Sequence, residues 1–591
     1  MTKLLRASAF AALSLCAACG AANDTPGAAA EPDASATPPL ADAAPEIDAP
    51  GSAMVAAAHP LAVEAGLEVL RAGGSAVDAA VAVQTVLGLV EPQSSGIGGG
   101  AFMVHHDGET GETVVYEGRE AAPERADADL FLDDDGEPLG RLDAIVSGRS
   151  VGAPGAISML AMAHAEHGMR DWAFNFDPAV ALAETGFEVT PRLNAMISAV
   201  AGFGLIHEMP GTREYLFLED GSPLPVGHRL VNPAYAETLK RIADDPRKFY
   251  EGPIAQAIVD AVRAEPLPGV LTLGDLAAYE PHKRDAVCRG YRTYTVCGAP
   301  PPSSGGVAIL AILGLLEGTD IAERGPDDPQ AWHLFIEASR LAYADRDRYV
   351  ADDQFVDVPL DALLAEDYLA ARAQLIDPDI AQETVTAGQP TADIALPGED
   401  ATGEVPGTSH FVVVDGAGDV VSMTTTVEAP FGSERMAAGF ILNNQLTDFS
   451  FRPVDDAGRP VANAPAPGKR PRSSMSPTIV FDENGEFLMA VGSPGGNSII
   501  AYVAKTLIGV LDWGLSPQEA VNLPNVIARR QPVGVETARM DEALVDALEA
   551  RGHQIRPGQG EGSGLHAVMV SPDGALIGAA DPRREGVAKS P

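Results

Sequence analysis

From Ser409 to Val427 the chain reads SHFVVVDGAGDVVSMTTTV. Two apolar runs flank a turn of Asp, Gly and Ala, which is a hairpin signal. A Gly-Thr pair, Gly407-Thr408, stands at the mouth of the first run. GAFMVHH and ETVVYEG upstream, and GFILNNQ, SPTIVFD, EFLMAVGS and LHAVMVSP downstream, also have strand character. HPLAVEAGLEVLRAGGSAVDAAVAVQTVLGLVEP holds two helices, one closing at Gly73-Gly74 and one starting near Ser75. DPAVALAETGF, AYAETLKRIA, GPIAQAIVDAVRA and QAWHLFIEASRLAYADRDRYV make the middle third mainly helical, and another helix is predicted from Ser498 to Leu511. Helices, then antiparallel strands, then helices predict a layered α+β body. No internal repeat is visible.

The ends and joints have a different composition. MTKLLRASAFAALSLCAACG reads as an export signal over residues 1–19, with Lys3 and Arg6 ahead of an apolar stretch too short to span a bilayer. CAAC resembles the lipobox of bacterial lipoproteins, with Cys19 as the acylated residue; ordinary cleavage near Gly20-Ala21-Ala22 is the alternative. The expected location is the periplasm, with a lipid anchor as the only contact with a membrane. Residues 20–51 are Ala, Pro and Asp with almost nothing large, and read as a disordered tether. Residues 384–407 are again loose and polar; a stretch that long inside a compact protein is functional or a linker. A net charge of −43 sets the chain against phosphate backbones, so no nucleic acid is expected as a partner. Cys288 and Cys297 would lie opposite each other across a hairpin turning at Arg292-Thr293, and an exported protein can keep that bridge.

Three short patterns suggest chemistry and fail in context. GRSVG, Gly148 to Gly152, fits a nucleophile elbow after the strand-like DAIVS, with Ser150 as the nucleophile of an α/β-hydrolase esterase. Pro and Gly follow where the elbow needs a helix, so a glycine-rich turn is the better reading. GIGGGA, Gly96 to Ala101, leads into a strand where a dinucleotide loop needs a helix. HAEH, His164 to His167, lacks further ligands at metal spacing and reads as solvated helix surface. No cofactor and no metal is expected.

GTSHF, TTTVE, FILNNQLTDFSF, GKRPRSSMSPT and GSPGG follow one another in the order and spacing of the small subunit of the γ-glutamyltransferases. AGGSAVDAAVAV, EPQSSGIGGGAFMV, REAAPERA, APPPSSGG and ADRDRYV resemble the large subunit of that family, so the resemblance spans about residues 52–585. It implies a four-layer αββα sandwich of the N-terminal nucleophile hydrolase type, formed jointly by two self-cleaved subunits, residues 52–407 and 408–591. It also implies a cut after Gly407 that frees Thr408 as nucleophile, with the new α-amine as base. By the same resemblance Gly495 and Gly496 offer backbone N–H groups to the oxyanion, and Thr426 hydrogen-bonds the nucleophile. Arg119, Ser473 and Ser474 match the groups on the substrate α-carboxylate, Gln445 and Asp448 those on the α-ammonium. Thr424, two residues before Thr426 on the same strand face, is expected to support processing. Glutathione or another γ-glutamyl compound is the implied donor, and water or an amino acid or peptide the acceptor. Glu428 departs from the pattern: well-studied members have Asn there on the α-ammonium, and a carboxylate can still bind an ammonium or mark a changed substrate; the stretch from Phe451 to Lys469 is shorter than some members' lid. A related amide acylase of the β-lactam side-chain type is the main rival reading, and a non-catalytic shell of the same fold the most distant one.

Overall fold

The computed structural model describes residues 52–392, 396–400, 402–403, 407–558 and 562–591. The proposed leader with Cys19, and the tether, lie outside the described residues. Thirteen strands build two large antiparallel sheets. In chain order they are β1 (Met54–Ala57), β2 (Gly100–His106), β3 (Thr113–Gly118), β4 (His282–Asp285), β5 (Val287–Tyr291), β6 (Tyr294–Gly298), β7 (Thr408–Val414), β8 (Val420–Thr426), β9 (Thr478–Phe481), β10 (Phe487–Gly492), β11 (His566–Val570), β12 (Leu576–Ala580) and β13 (Val587–Lys589). The first sheet runs β13-β1-β7-β8-β2-β3-β4 and the second β12-β11-β10-β9-β6-β5. The hairpin read from the sequence is β7 and β8, at the middle of the first sheet.

Every residue of β7 and β8 is buried, because both faces of this sheet are covered. Phe411, Val413, Val421 and Met423 point into a core shared with helices α1 (Pro60–Arg71), α2 (Ala76–Val90) and α3 (Ala156–His167). Val412, Val414 and Val420 point the other way, into a core shared with the second sheet and with α4 (Gly305–Leu316), α5 (Pro329–Tyr349) and α6 (Ile499–Leu511). A strand buried on both sides reads as an unbroken apolar run, as FVVV does. The layers are therefore helix, sheet, sheet, helix, the αββα order expected from the resemblance. α2 begins at Ser75, whose hydroxyl and the Asp78 carboxylate form a reciprocal cap.

Cys288 and Cys297 are directly opposite in the β5–β6 register and form a disulfide. The expected freedom of residues 384–407 is corrected in part. Asp345 accepts from the N–H of Gly388 at 2.7 Å, Tyr349 donates to the Gly388 carbonyl, and Arg348 donates to the Pro397 carbonyl at 2.6 Å. Asp400 meets the buried Arg472 at 2.7 Å. The composition is that of a loose segment, but side chains of α5 hold it. DAIVS is also not a strand: Arg141–Ile145 is a short helix.

Candidate active site

The turn between β7 and β8 decides what meets at their far end. The Asp415 carboxylate accepts from the N–H of Ala417 and of Asp419, at 2.9 and 3.0 Å, and from that of Ala76 at the start of α2, at 2.8 Å. This fixes Val414 opposite Val420, and counting along the ladder brings Thr408 opposite Thr426. Thr426 Oγ1 lies 2.8 Å from the Gly407 carbonyl oxygen. A carbonyl only accepts, so the Thr426 proton is donated there. Thr426 Oγ1 then accepts from Thr408 Oγ1 at 3.0 Å and from the Glu428 N–H at 2.8 Å. A Cβ on Gly407 would come 2.3 Å from the Glu428 carbonyl oxygen, so only glycine fits. Arg584 donates to the Thr408 carbonyl at 3.0 Å.

No histidine among the described residues bonds to the Thr408 hydroxyl. His410 bonds instead to Thr424 Oγ1, its cross-strand neighbour, at 2.9 Å. Burial, helped by His566, holds the His410 imidazole well below its ordinary pKa, so it is neutral.

The glycine loop after β10 closes one side. A Cβ on Gly492 would run into the His410 ring at 2.3 Å, so the end of β10 lies against β7. Gly495 and Gly496 follow with φ of 139° and 55°, where side chains are strained, and lead into α6. Backbone N–H groups ahead of a helix N-terminus suit an anion. Pro494 and Arg584 both crowd Gly564, which ties this loop to the arginine that holds Thr408.

The other side is a buried pocket of paired charges. Arg119 donates through Nη2 to Asp448 at 2.6 Å and to the Arg472 carbonyl at 2.8 Å, and through Nε to the Pro471 carbonyl at 3.0 Å. Its Nη1 makes no hydrogen bond among the described residues and lies 3.8 Å from Glu120. Gln445 also donates to Asp448, at 2.7 Å. Ser474 Oγ accepts from Arg346 Nη2 at 2.5 Å and donates toward Asn497 Oδ1 at 3.4 Å. The Ser473 carbonyl accepts from the N–H and hydroxyl of Ser304, at 2.7 and 2.6 Å. Glu428 sits between Asn444, which donates to Oε2, and Arg141, which reaches Oε1 at 3.4 Å.

Thr408, Thr426, Arg119, Glu428, Gln445, Asp448, Ser473 and Ser474 are all buried and joined by one connected set of elements. Arg141, Asn444, Arg346 and Arg584 belong to the same set and were not singled out from the sequence. Arg346 sits in ADRDRYV, a stretch already marked; Arg141 lies in no marked stretch. Ser150 is corrected as a nucleophile candidate. It is fully buried, its hydroxyl is spent on the Ile145 and Ser147 carbonyls, and a helix precedes it where an elbow needs a strand. HAEH is corrected too: His164 pairs with Asp78 at 3.1 Å and His167 with the Tyr116 hydroxyl at 2.7 Å, so both are tied inward. Among the described residues no group of His, Cys, Asp and Glu could hold a metal ion.

A family model described as gamma-glutamyltranspeptidase matches residues 62–590. The chain is 37% identical to the glutathione hydrolase proenzyme of Escherichia coli (strain K12), over 90% of both chains. It is also 37% identical to the acylase ACY 1 proenzyme of Pseudomonas sp. (strain SE83), over 90% of this chain and 92% of that one. The crystal structure of cephalosporin acylase from Bacillus halodurans superposes with a TM-score of 0.79 at 26% identity, covering 95% of this chain and 99% of that one.

Glu120 gives the pocket a measurable signature. Burial drives its carboxyl up to about 8, against the pull of Arg119. A raised carboxyl stabilises the fold fully below the ordinary carboxylate range and loses that contribution as pH rises toward 8. Glu120→Gln keeps the shape without the charge. The melting temperature of the variant, relative to wild type, should climb steadily from pH 5 to pH 8.5; parallel profiles would show Glu120 to be ionised throughout.

Proposed function

The chain belongs to the gamma-glutamyltranspeptidase family of enzymes, and from that premise we propose that it is a self-processing γ-glutamyltransferase and glutathione hydrolase with Thr408 as nucleophile. The observation that carries the reading is the Thr426 hydroxyl, which donates to the Gly407 carbonyl while accepting from Thr408. In the precursor Thr408 Oγ attacks the Gly407 carbon. Thr426 holds the oxygen that gains charge, the C–N bond to Thr408 breaks, and the nitrogen takes up a proton. The resulting ester is opened by water, leaving a carboxylate on Gly407 and a free amine on Thr408. An α-amine has a pKa of roughly 8, so part of it is neutral near pH 7 and can take the hydroxyl proton. That suits a site in which His410 is neutral and turned toward Thr424.

Thr408 then attacks the γ-carbonyl of a γ-glutamyl compound such as glutathione. The Gly495 and Gly496 N–H groups receive the oxyanion. The amine passes its proton to the leaving group, and water or an amino acid or peptide takes the acyl group from Thr408. The donor head is a zwitterion, and the pocket offers both signs. Arg119 Nη1, Ser473 and Ser474 take the α-carboxylate; Asp448 and Gln445 take the α-ammonium. Arg119 is already bound to Asp448, so the two substrate charges enter a site whose own charges are fixed in place. The pieces 52–407 and 408–591 remain together as one heterodimer. The leader places the enzyme in the periplasm, with Cys19 as a lipid anchor.

Purified wild type on a denaturing gel should give two fragments, the smaller spanning residues 408–591 and beginning at Thr408 by N-terminal sequencing. Thr408→Ala should stay one chain. Fully active wild type that migrates as a single band would overturn the mechanism. Arg119→Gln should raise KM for glutathione roughly 10–150-fold, the weight of a charge-assisted bond of about 1.5–3 kcal/mol; an unchanged KM would place the glutamyl head elsewhere. Wild type should fractionate with membranes and Cys19→Ala should not; recovery of both in the soluble fraction would exclude the anchor.

A further inference from the structure

Glu428 joins the nucleophile to the charged pocket. Its N–H holds Thr426, and its backbone has φ 79°, a conformation that disfavours residues with a Cβ. Its carboxylate is already engaged. Asn444 donates to one oxygen and Arg141 reaches the other at 3.4 Å. Arg141 is itself fixed: it donates to the Thr447 carbonyl at 3.1 Å and lies over the Phe451 ring at 5.5 Å. It is 18% exposed and lines an open cleft of about 600 Å³ with Leu139, Phe451 and Val454. The same cleft is lined by Glu399, Asp455 and Asp456 and by Arg452 and Arg459, while the buried Asp448 carboxylate is paired with Arg119.

We propose that Arg141 sets how strongly the enzyme prefers an acyl donor bearing an α-ammonium over one without it. The proposal rests on the reading above that this pocket takes a γ-glutamyl head. An ammonium approaching Glu428 meets a carboxylate that already holds a guanidinium. The attraction of one is offset by repulsion from the other, so Glu428 adds little to binding of the ammonium. An acyl group with the same terminal carboxylate and no amine, such as glutaryl, then loses little. The Arg141–Glu428 pair widens the donor range toward such acids, and Asp448 keeps the remaining preference for the zwitterion.

The test uses the full-length, matured enzyme with γ-glutamyl and glutaryl p-nitroanilides, which share a leaving group and differ only in the α-ammonium. The readout is the ratio of the two kcat/KM values within one preparation, so partial maturation cancels. Arg141→Gln releases the Glu428 charge and should raise the γ-glutamyl preference about tenfold, a change of about 1.4 kcal/mol. Glu428→Gln leaves Arg141 uncompensated and should lower it by a similar factor. The double variant should return to within roughly threefold of wild type, because the two opposite changes cancel. Single variants that leave the ratio in place, or move it in the same direction, overturn the role of Arg141. If Arg141→Gln alone yields no mature protein, the double variant compared with Glu428→Gln decides: removing Arg141 in that background should raise the ratio about tenfold, and an unchanged ratio overturns its role. Wild type that cleaves neither anilide overturns the proposed function and this inference together. Wild type that cleaves only one is read by whether the matching variant brings up the other: Arg141→Gln the γ-glutamyl, Glu428→Gln the glutaryl.

Discussion

The register of one hairpin is the constraint on which the site depends. Three N–H groups converge on Asp415, and that turn sets Thr408 against Thr426 six residue pairs away. A slip of one residue would send every side chain of β7 to the opposite face. Thr408 would then point into the core filled by Phe411 and Val413, away from Thr426 and the glycine loop. The tie from Asp415 to Ala76 also couples the hairpin to α2 and so to the helical layer beneath it. Burial on both faces makes the register costly to shift, because a slip would exchange the two packed apolar faces of β7.

Charge is handled by the same economy. Arg119, Arg346, Asp448 and Glu428 are all buried, and each has a partner before any substrate arrives. Burying a lone charge costs several kcal/mol, whereas a paired one with its hydrogen bonds made is tolerated. The charges of the pocket are thus held by one another, and on the proposed reading its selectivity comes from which pairs a ligand can share. Ser474 illustrates this. Arg346 can only donate, so it fixes the serine oxygen as acceptor, and the serine proton points toward Asn497 Oδ1.

Much of this was legible in the sequence. The hairpin, the helix beginning at Ser75 and the Cys288–Cys297 pairing follow from local patterns, because turns, caps and two-residue periodicity are local physics. The pairing of Thr408 with Thr426 follows from that hairpin, and the polar residues of the pocket were marked through motifs. Arg141 and Arg584 were not, because each reaches the site from a distant segment where one arginine looks like any other. DAIVS misled because five apolar-rich residues carry no length cue to tell helix from strand. Residues 384–407 looked loose because the side chains that hold Gly388 and Pro397, those of Asp345, Arg348 and Tyr349, lie on α5 and not in the segment itself.

The sheet order carries a topological consequence. β1 lies between β7 and β13, and β8 pairs with β2, so strands from before and after Gly407 interleave across the first sheet; β6 pairs with β9 across the second. A cut at Gly407 therefore divides the covalent chain without creating an interface along which the halves could part. Separation of the fragments would require the sheets to come apart, so it is equivalent to unfolding. A cleaved molecule that loses its fold has also lost the covalent tether that would bring its strands back together. The persistence of the enzyme is then governed by the rate at which it opens and not by an association equilibrium.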